Sequence, residues 1–238
     1  MQHQRFIGSY DFSKKSLIVN DKELVGQLKN VLRLKTGGQV ILVDNKQQEA
    51  TATIVDFKKD SVEFAIESVM KNEKEAAIEV ALYCAVIKKE NFELVVQKAT
   101  EAGVAEIIPI ITKRTVKLSL KNDRLEKIAK EAAEQSGRGV IPRVGEIISF
   151  EDALTQTKDY SAKLFFNPGA PLVSQERLKN SGVKRVCLFI GPEGGWDESE
   201  INEARTYDLK VVGLGGLTLR AETAAIIASY LVANAANL

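Results

Sequence analysis

The chain has 238 residues, of which 45% are hydrophobic and 27% charged, and its formal net charge at pH 7 is +1. This composition is ordinary for a globular protein with a substantial core, and the small net charge argues against a general binder of nucleic acid. The sequence has no apolar run of ~20 residues and no hydrophobic N-terminal stretch, so we expect a cytoplasmic protein without a membrane segment.

The first seventy or so residues alternate short β-branched segments with polar turns. Three such segments cover residues 40–43, 50–55 and 61–66. Strands at this spacing are typical of a small antiparallel barrel, and a helix is predicted over 22–34. The charged, apolar-poor stretch 70–75 predicts a linker. We therefore expect one domain over 1–72 and a second over 73–238.

Strand-like and helical segments alternate from Ile78 onwards. The predicted strands cover 78–86, 105–111, 163–166, 185–190 and 210–214. The predicted helices cover 91–102, 123–136, 174–180, 197–207 and 220–237. Such an alternation predicts an α/β domain, in which a mainly parallel sheet has helices on both faces.

The cysteine and histidine content argues against metal chemistry. Cys84 and Cys187 both lie inside apolar predicted strands, which indicates two buried thiols in a protein of a reducing compartment. The only histidine is His3, and there is no Cys-x-x-Cys pair. The sequence therefore predicts no metal site.

Two glycine-rich loops near the C-terminus are the most informative feature. Residues 190–196 read Ile-Gly-Pro-Glu-Gly-Gly-Trp, and residues 214–224 read Leu-Gly-Gly-Leu-Thr-Leu-Arg-Ala-Glu-Thr-Ala. Glycine lets backbone approach a ligand closely. The first loop lacks the spacing of a dinucleotide fingerprint, and neither loop has the Gly-Lys-Ser/Thr ending of a P-loop. A paired glycine-loop site with one carboxylate in each loop, Glu193 and Glu222, needs another ligand.

Part of these loops also has a purely structural interpretation. Asp197 and Glu200 fit a capping box at a helix start, with Trp196 and Ile201 as the hydrophobic staple. Glu222 in the first turn of the last helix complements the helix dipole. Arg220, Glu222 and Thr223 nevertheless precede a nearly all-apolar helix, so these polar groups either pair with each other or reach for a ligand.

A basic segment lies between Lys113 and Arg143, with nine Lys and Arg against four acidic residues. Such a cluster attracts phosphates, although a solvated helix face would have the same composition. Within it, Arg138 lies between two glycines. Gly137 either caps the preceding helix or, with Gly139, lets Arg138 approach a phosphate or a base.

Together these motifs resemble the RsmE family of bacterial ribosomal RNA methyltransferases, which belong to the knotted SPOUT class. The resemblance is carried by four ordered segments, residues 97–104, 134–142, 191–195 and 214–224, and extends over almost the whole chain. There are departures. The family's histidine before Val31-Leu32-Arg33 is missing around Val25–Leu28, and Ala102 and Thr115 replace the usual leucine and serine.

The resemblance implies a fold and a reaction. A small β-barrel RNA-binding domain of PUA or OB type is joined to a mainly parallel α/β domain with a trefoil knot. The enzyme uses S-adenosyl-L-methionine to methylate N3 of a uridine in 16S rRNA, within the assembled 30S particle. Separately, the near-continuous apolar face of 224–233 predicts a homodimer through the last helix and the knot region, and we expect no metal and no membrane association.

The resemblance also implies site residues. Cofactor-binding residues come from three loops: Phe166, Asn167, Ile190, Gly191, Pro192, Glu193, Gly194, Gly195, Leu214, Gly215, Leu217, Leu219 and Thr223. The catalytic candidates are Glu222, Arg220 and Glu193, with either carboxylate as the base. The RNA-binding candidates are Arg5, Arg33, Lys113, Arg114 and Arg138.

Two other functions remain open from the residues. One is a non-catalytic RNA-binding or ribosome-assembly module with a vestigial cofactor pocket, against which the intact charged residues of both loops argue. The other is a nucleotide-binding enzyme whose glycine loops hold phosphate, against which the missing P-loop lysine argues.

Overall fold

A computed structural model describes residues 4–116, 119–180 and 182–235. The chain divides into two compact units. The first contains 4–75 and Ala133–Ile141, and the second contains Ala76–Ala132 and the residues from Pro142 onwards.

The first unit is built on a five-stranded sheet. Its strands are β1 (Arg5–Ile7), β2 (Ser16–Val19), β3 (Gln39–Val43), β4 (Gln48–Phe57) and β5 (Val62–Lys71), in the order β1-β3-β4-β5-β2. Neighbouring strands are antiparallel except for the parallel pair β1–β3. Two register shifts interrupt the β4–β5 ladder, and such bulges increase strand twist. The prediction of a small β domain is confirmed, with one parallel pair that the sequence did not indicate.

A short helical segment closes the core of this unit. Helix α1 (Lys22–Gly26) is capped by the Asp21 side chain, which accepts from Leu24 N, and continues as a π-helical turn, Gln27–Val31. The segment ends earlier than the predicted 22–34. It buries Leu28 completely against the sheet. The predicted helix is present, but the sequence did not indicate its π-helical turn.

Residues 133–141 join the first unit through polar contacts. Glu134 accepts a 2.9 Å hydrogen bond from Ile7 N. The Glu75 carboxylate accepts from Gly139 N at 2.9 Å and pairs with the Arg138 guanidinium at 2.6 Å. The sequence predicted a single domain boundary after residue 72, whereas the first unit of the structure also includes the distant segment Ala133–Ile141.

The second unit is built on a seven-stranded parallel sheet. Its strands are β6 (Glu79–Ala85), β7 (Glu106–Ile111), β8 (Arg143–Val144), β9 (Ile148–Ser149), β10 (Ala162–Phe166), β11 (Arg185–Ile190) and β12 (Lys210–Val212). The order is β12-β10-β11-β6-β7-β8, and β9 also pairs with β7. Every recorded pair is parallel.

Helices cover both faces of this sheet. The helices that follow β6 in the chain are α2 (Lys89–Glu101), α3 (Asn122–Ser136), α4 (Phe150–Thr155), α5 (Gln175–Asn180), α6 (Glu198–Thr206) and α7 (Ala221–Ala233). On one face, Tyr83, Phe165 and Phe189 form an aromatic core with Phe150 of α4 and with α6. Helix α7 packs on β6, β11 and α2. Because side chains alternate along a strand, α7 covers the opposite face. The predicted α/β architecture is confirmed.

Several elements had no sequence signal. Strands β8 and β9 have two residues each, too few to establish a period, and α4 follows β9 without a break. Helix α7 ends at Ala233 rather than at the predicted 237, and the last two of those predicted positions, 236 and 237, lie outside the described residues. Across 4–116, 119–180 and 182–235, no helix combines the length and apolar character needed to cross a bilayer.

Candidate active site

Three loops leave neighbouring strands at the same edge of the parallel sheet. Strands β12, β10 and β11 are adjacent in the sheet. The loop 167–174 follows β10, the loop 191–197 follows β11, and the loop 213–220 follows β12. The carboxyl edge of a parallel sheet is where such folds bind ligands. All residues predicted to bind a cofactor lie in these loops, at the last positions of β10 and β11, or in the first turn of α7.

The loops after β10 and β12 are joined by backbone hydrogen bonds. Asn167 N donates to Val212 O at 2.9 Å, Gly213 N to Pro171 O at 2.7 Å, and Val173 N to Gly213 O at 3.0 Å. At Gly213 a Cβ would lie 2.5 Å from the Ala170 carbonyl oxygen. Only glycine therefore fits where the two segments meet. Gly213 is not among the predicted site residues, although its position directly before the glycine-rich loop was a signal for it.

The loop after β11 is fixed by an indole. Trp196 Nε1 donates a 2.9 Å hydrogen bond to the Phe166 carbonyl oxygen, and the side chain is buried in the aromatic core. A Cβ at Gly191 would lie 2.9 Å from this indole, so the close contact depends on glycine. Trp196 was predicted only as a helix staple. The structure adds that it connects two of the three loops.

The predicted capping box at the start of α6 is confirmed. Asp197 accepts from Ser199 N, and Glu200 accepts from Asp197 N at 2.8 Å. The hydrogen bonds from Ser199 lower the pKa of the Asp197 carboxyl, and Lys113 and Arg114 lower it further. Asp197 is therefore an anion at neutral pH and attracts the two basic side chains.

Two predicted RNA-binding residues lie against this loop. Arg114 Nη1 donates to the Gly194 carbonyl oxygen at 3.0 Å, and its Nη2 lies 3.5 Å from Asp197 Oδ2. Lys113 Nζ lies 2.5 Å from Ser199 Oγ. Both side chains are at least half exposed. The structure thus brings a basic turn, eighty residues away in sequence, to the edge of the predicted cofactor loop.

The two predicted carboxylates have different surroundings. Glu222 is 7% exposed, and its buried Oε2 has no hydrogen-bond partner among the described residues. Glu193 is exposed. Burial, and then the charges of Glu193 and Glu222, raise the pKa of the Cys84 thiol to about 12. Both carboxylates therefore contribute to the raised pKa of this thiol in β6.

The other candidates from the second loop flank Glu222. Arg220 is the N-cap residue of α7 and is exposed, without a side-chain hydrogen bond to the helix. Thr223 is half-buried and Leu217 is exposed. At Gly195 and Gly215, with φ of +70° and +141°, a Cβ would meet no atom within 4 Å. Space therefore remains beside both glycine loops.

The remaining RNA-binding candidates belong to the first unit. Arg33 is exposed, has a φ of 54°, and shows no ion pair within the described part of the chain. Arg5 pairs with Glu49. Arg138 is only 6% exposed and pairs with Glu75. The predicted RNA contacts of these residues remain predictions, and Arg138 has a structural partner that its glycine neighbours did not indicate.

Potential metal ligands do not cluster. In the residues that the structure describes, no group of three His, Cys, Asp or Glu side chains is arranged to hold a metal ion. Both cysteines are free and buried, as predicted.

Comparisons with known proteins place the chain in a family. A model described as "RNA methyltransferase domain" matches residues 74–233, and "RNA methyltransferase PUA domain" matches 28–67. The ribosomal RNA small subunit methyltransferase E of Bacillus subtilis is 32% identical over 87% of this chain and 85% of its own length. The chain belongs to this methyltransferase E family. The Mesomycoplasma hyopneumoniae member is 36% identical over 66% of this chain and 70% of its own.

Solved structures agree with the family membership. The methyltransferase E of Neisseria gonorrhoeae, solved with bound S-adenosyl methionine, has a TM-score of 0.88 and 28% identity over 96% of this chain and 95% of that one. A Legionella pneumophila protein described as a methyltransferase, solved with bound SAM, has a TM-score of 0.89 and 31% identity over 99% and 98%. The resemblance seen in the motifs is confirmed over nearly the full methyltransferase E fold.

Proposed function

We propose that this protein transfers the methyl group of S-adenosylmethionine to N3 of a uridine in 16S rRNA. The observation that carries the proposal is the burial of the Glu222 carboxylate. This carboxylate is buried at the start of α7 with one oxygen unpartnered, beside three loops of a methyltransferase-family domain. A buried polar atom without a partner is costly in a folded protein, which favours a role with a ligand.

The residues present fit the cofactor. The carbonyl and N–H groups of the three loops would hold its adenine and ribose, with Gly195 and Gly215 leaving room for close backbone approach. Pro192 and the Trp196–Phe166 hydrogen bond restrict the middle loop. When bound, S-adenosylmethionine supplies a methyl group activated by a sulfonium.

Uridine N3 carries a proton, and methylation requires that this proton leave. A carboxylate base typically contributes ~10²–10⁴-fold to such a step. We assign the base to Glu222, because its Oε2 is buried and still has its acceptor capacity free. Glu193 is exposed, so water competes for its proton-accepting oxygens. We assign Glu193 to the cofactor loop.

As N3 loses its proton, negative charge develops on the uracil O2 and O4. A nearby cation stabilises that charge. Arg220, exposed at the N-cap of α7 two residues before Glu222, and Arg114, hydrogen-bonded to the Gly194 carbonyl oxygen, are our candidates for this role or for holding a phosphate. Lys113 and Arg33 add phosphate contacts on exposed surfaces.

We also propose the oligomeric state, the form of the RNA substrate and the cellular compartment. Helix α7 has partly buried Ile226 and Ile227 and a 52% exposed Tyr230, an apolar side that a second copy would cover in a homodimer. The domain over 1–72 would hold the RNA. The small net charge favours a shaped substrate, the assembled 30S particle, and such an enzyme works in the cytoplasm.

The test is methylation of purified small subunits and of deproteinised 16S rRNA with labelled S-adenosylmethionine. We expect label in the subunits, located at uridine N3 by mass spectrometry of the digested RNA, and less label in free RNA. Label on ribose, on carbon or on another base would refute the chemistry. Binding of S-adenosylhomocysteine without any transfer would favour the non-catalytic alternative.

A further inference from the structure

The Glu200 carboxylate has two backbone donors from different parts of the chain. Its Oε1 accepts from Lys113 N and its Oε2 from Asp197 N, both at 2.8 Å. The residue is 2% exposed. The second bond belongs to the capping box of α6, but the first reaches across 87 residues of sequence to the turn after β7. A capping role does not account for it.

The turn held in this way carries Arg114. Lys113 directly precedes Arg114 in this turn. The Arg114 guanidinium donates to Gly194 O at 3.0 Å and lies 3.5 Å from Asp197 Oδ2. The Arg114 Cβ lies 3.5 Å from the position of a Cβ at Gly194. A long, half-exposed arginine on a loop has many accessible rotamers. Fixing its backbone restricts where the guanidinium lies.

We propose that Glu200 is a positioning residue, which holds the Lys113–Arg114 turn so that Arg114 lies over the 191–195 loop at the edge of the cofactor site. This inference rests on the proposed function and assigns to one buried carboxylate the placement of the RNA-facing cation. Glu200 itself touches neither cofactor nor RNA.

Replacing Glu200 by Gln separates the two bonds. Glutamine at this helix position still completes a capping box, because its carbonyl oxygen can accept from Asp197 N. The amide nitrogen that replaces the second oxygen cannot accept from Lys113 N. The matched control is Glu198→Gln, which removes the same charge from the same first turn at an exposed position.

The first readout is independent of catalysis. Amide hydrogen exchange at Lys113 should be slow in the wild type and in Glu198→Gln and faster by roughly tenfold or more in Glu200→Gln, because a hydrogen bond to a charged group is lost. Unchanged exchange in Glu200→Gln would overturn the proposed tether. This result stands whether or not the protein methylates the proposed base.

The second readout is a double-mutant cycle on kcat/KM for the small subunit. We expect Glu200→Gln and Arg114→Ala each to lower it by roughly tenfold, and the double variant to fall no further than Arg114→Ala, because Glu200 acts through Arg114. S-adenosylhomocysteine affinity should stay within about twofold in every variant. Multiplicative losses, or a parallel loss of S-adenosylhomocysteine binding, would show that Glu200 supports the cofactor loop instead.

Discussion

Trp196 Nε1 donates a 2.9 Å hydrogen bond to the carbonyl oxygen of Phe166. The bond connects the loop after β11 to the last residue of β10, and it is buried in the aromatic core. Two loops of the candidate site are therefore positioned by a side chain that itself belongs to the core. Core packing and ligand binding should depend on each other at this point.

Trp196→Phe tests that dependence. The change leaves the Phe166 carbonyl oxygen buried without its donor, which typically costs about 1–3 kcal/mol. We expect lower stability in urea unfolding and weaker S-adenosylhomocysteine binding by calorimetry. Phe150→Leu is the control, since it perturbs a ring 5.4 Å from Trp196 without removing the bond. Equal loss of binding in both variants would contradict a specific role of the hydrogen bond.

Glu222→Gln tests the assignment of the base. We expect turnover to fall by about 10²–10⁴-fold and S-adenosylhomocysteine affinity to change little. Stability should hold or rise, because a neutral amide is less costly to bury than a carboxylate with one unpartnered oxygen. Thermal unfolding measures that separately. Glu193→Gln, at an exposed carboxylate, should lower turnover less. If the two variants lose equal turnover, the assignment to Glu222 is wrong.

The sequence predicted most of this fold, for identifiable physical reasons. Strands such as β6 and β11 are buried on both faces, so they read as continuous apolar runs, and the capping box at Asp197 is a local pattern. Among the elements it missed, β8 and β9 are too short to show a period. Local patterns were readable because they depend on residues close together in the chain.

The missed parts of the site depend on strand order. Strand β12 pairs with β10 rather than with its sequence neighbour β11, and this pairing brings Gly213 against Ala170. The tether from Glu200 to Lys113 likewise spans distant segments. Burial of Arg138 depends on Glu75, which no spacing rule connects to it. None of these contacts follows from composition or periodicity.

A pair of alanine substitutions tests the contact of the two loops. Gly213→Ala would place a Cβ 2.5 Å from backbone oxygen, whereas Gly216 has room for a Cβ and a φ outside the left-handed region. We expect Gly213→Ala to destabilise by about 3 kcal/mol or more, or to prevent folding, and Gly216→Ala to stay within about 0.5 kcal/mol. Urea unfolding of both is the measurement. Similar stabilities would mean that the loops separate easily.

Thiol labelling tests the burial of the sheet. Burial raises the pKa of Cys187 to about 12, and burial with Glu193 and Glu222 raises that of Cys84 to about 12. We expect no labelling of the native protein at pH 8 and reaction of both thiols in denaturant. Because the fold disfavours the thiolate, ionisation of the thiols favours the unfolded chain. The folded protein therefore has its full stability below the ordinary thiol pKa of 9.0 and loses stability as pH rises towards about 12. Rapid native labelling would contradict it.

Arg138 and Arg33 make a matched pair in the first unit. Arg138 is 6% exposed and pairs with Glu75, whereas Arg33 is exposed. Arg138→Ala leaves the partly buried Glu75 carboxylate without this cation, so we expect a loss of stability approaching the 3–5 kcal/mol typical of broken buried pairs, roughly 2–4 kcal/mol here. Arg33→Ala should leave stability unchanged.

RNA binding should depend on Arg33 and not on Arg138, the reverse of what we expect for stability. If Arg33 contacts phosphate, Arg33→Ala reduces the slope of log affinity against log salt by about 1. Arg138→Ala, measured where the variant is still folded, should leave that slope unchanged, because a cation already paired with a carboxylate releases no counterion from RNA. Binding titrations of small-subunit RNA at several salt concentrations, alongside urea unfolding, give both quantities. A reduced slope in stable, folded Arg138→Ala would restore Arg138 as an RNA contact.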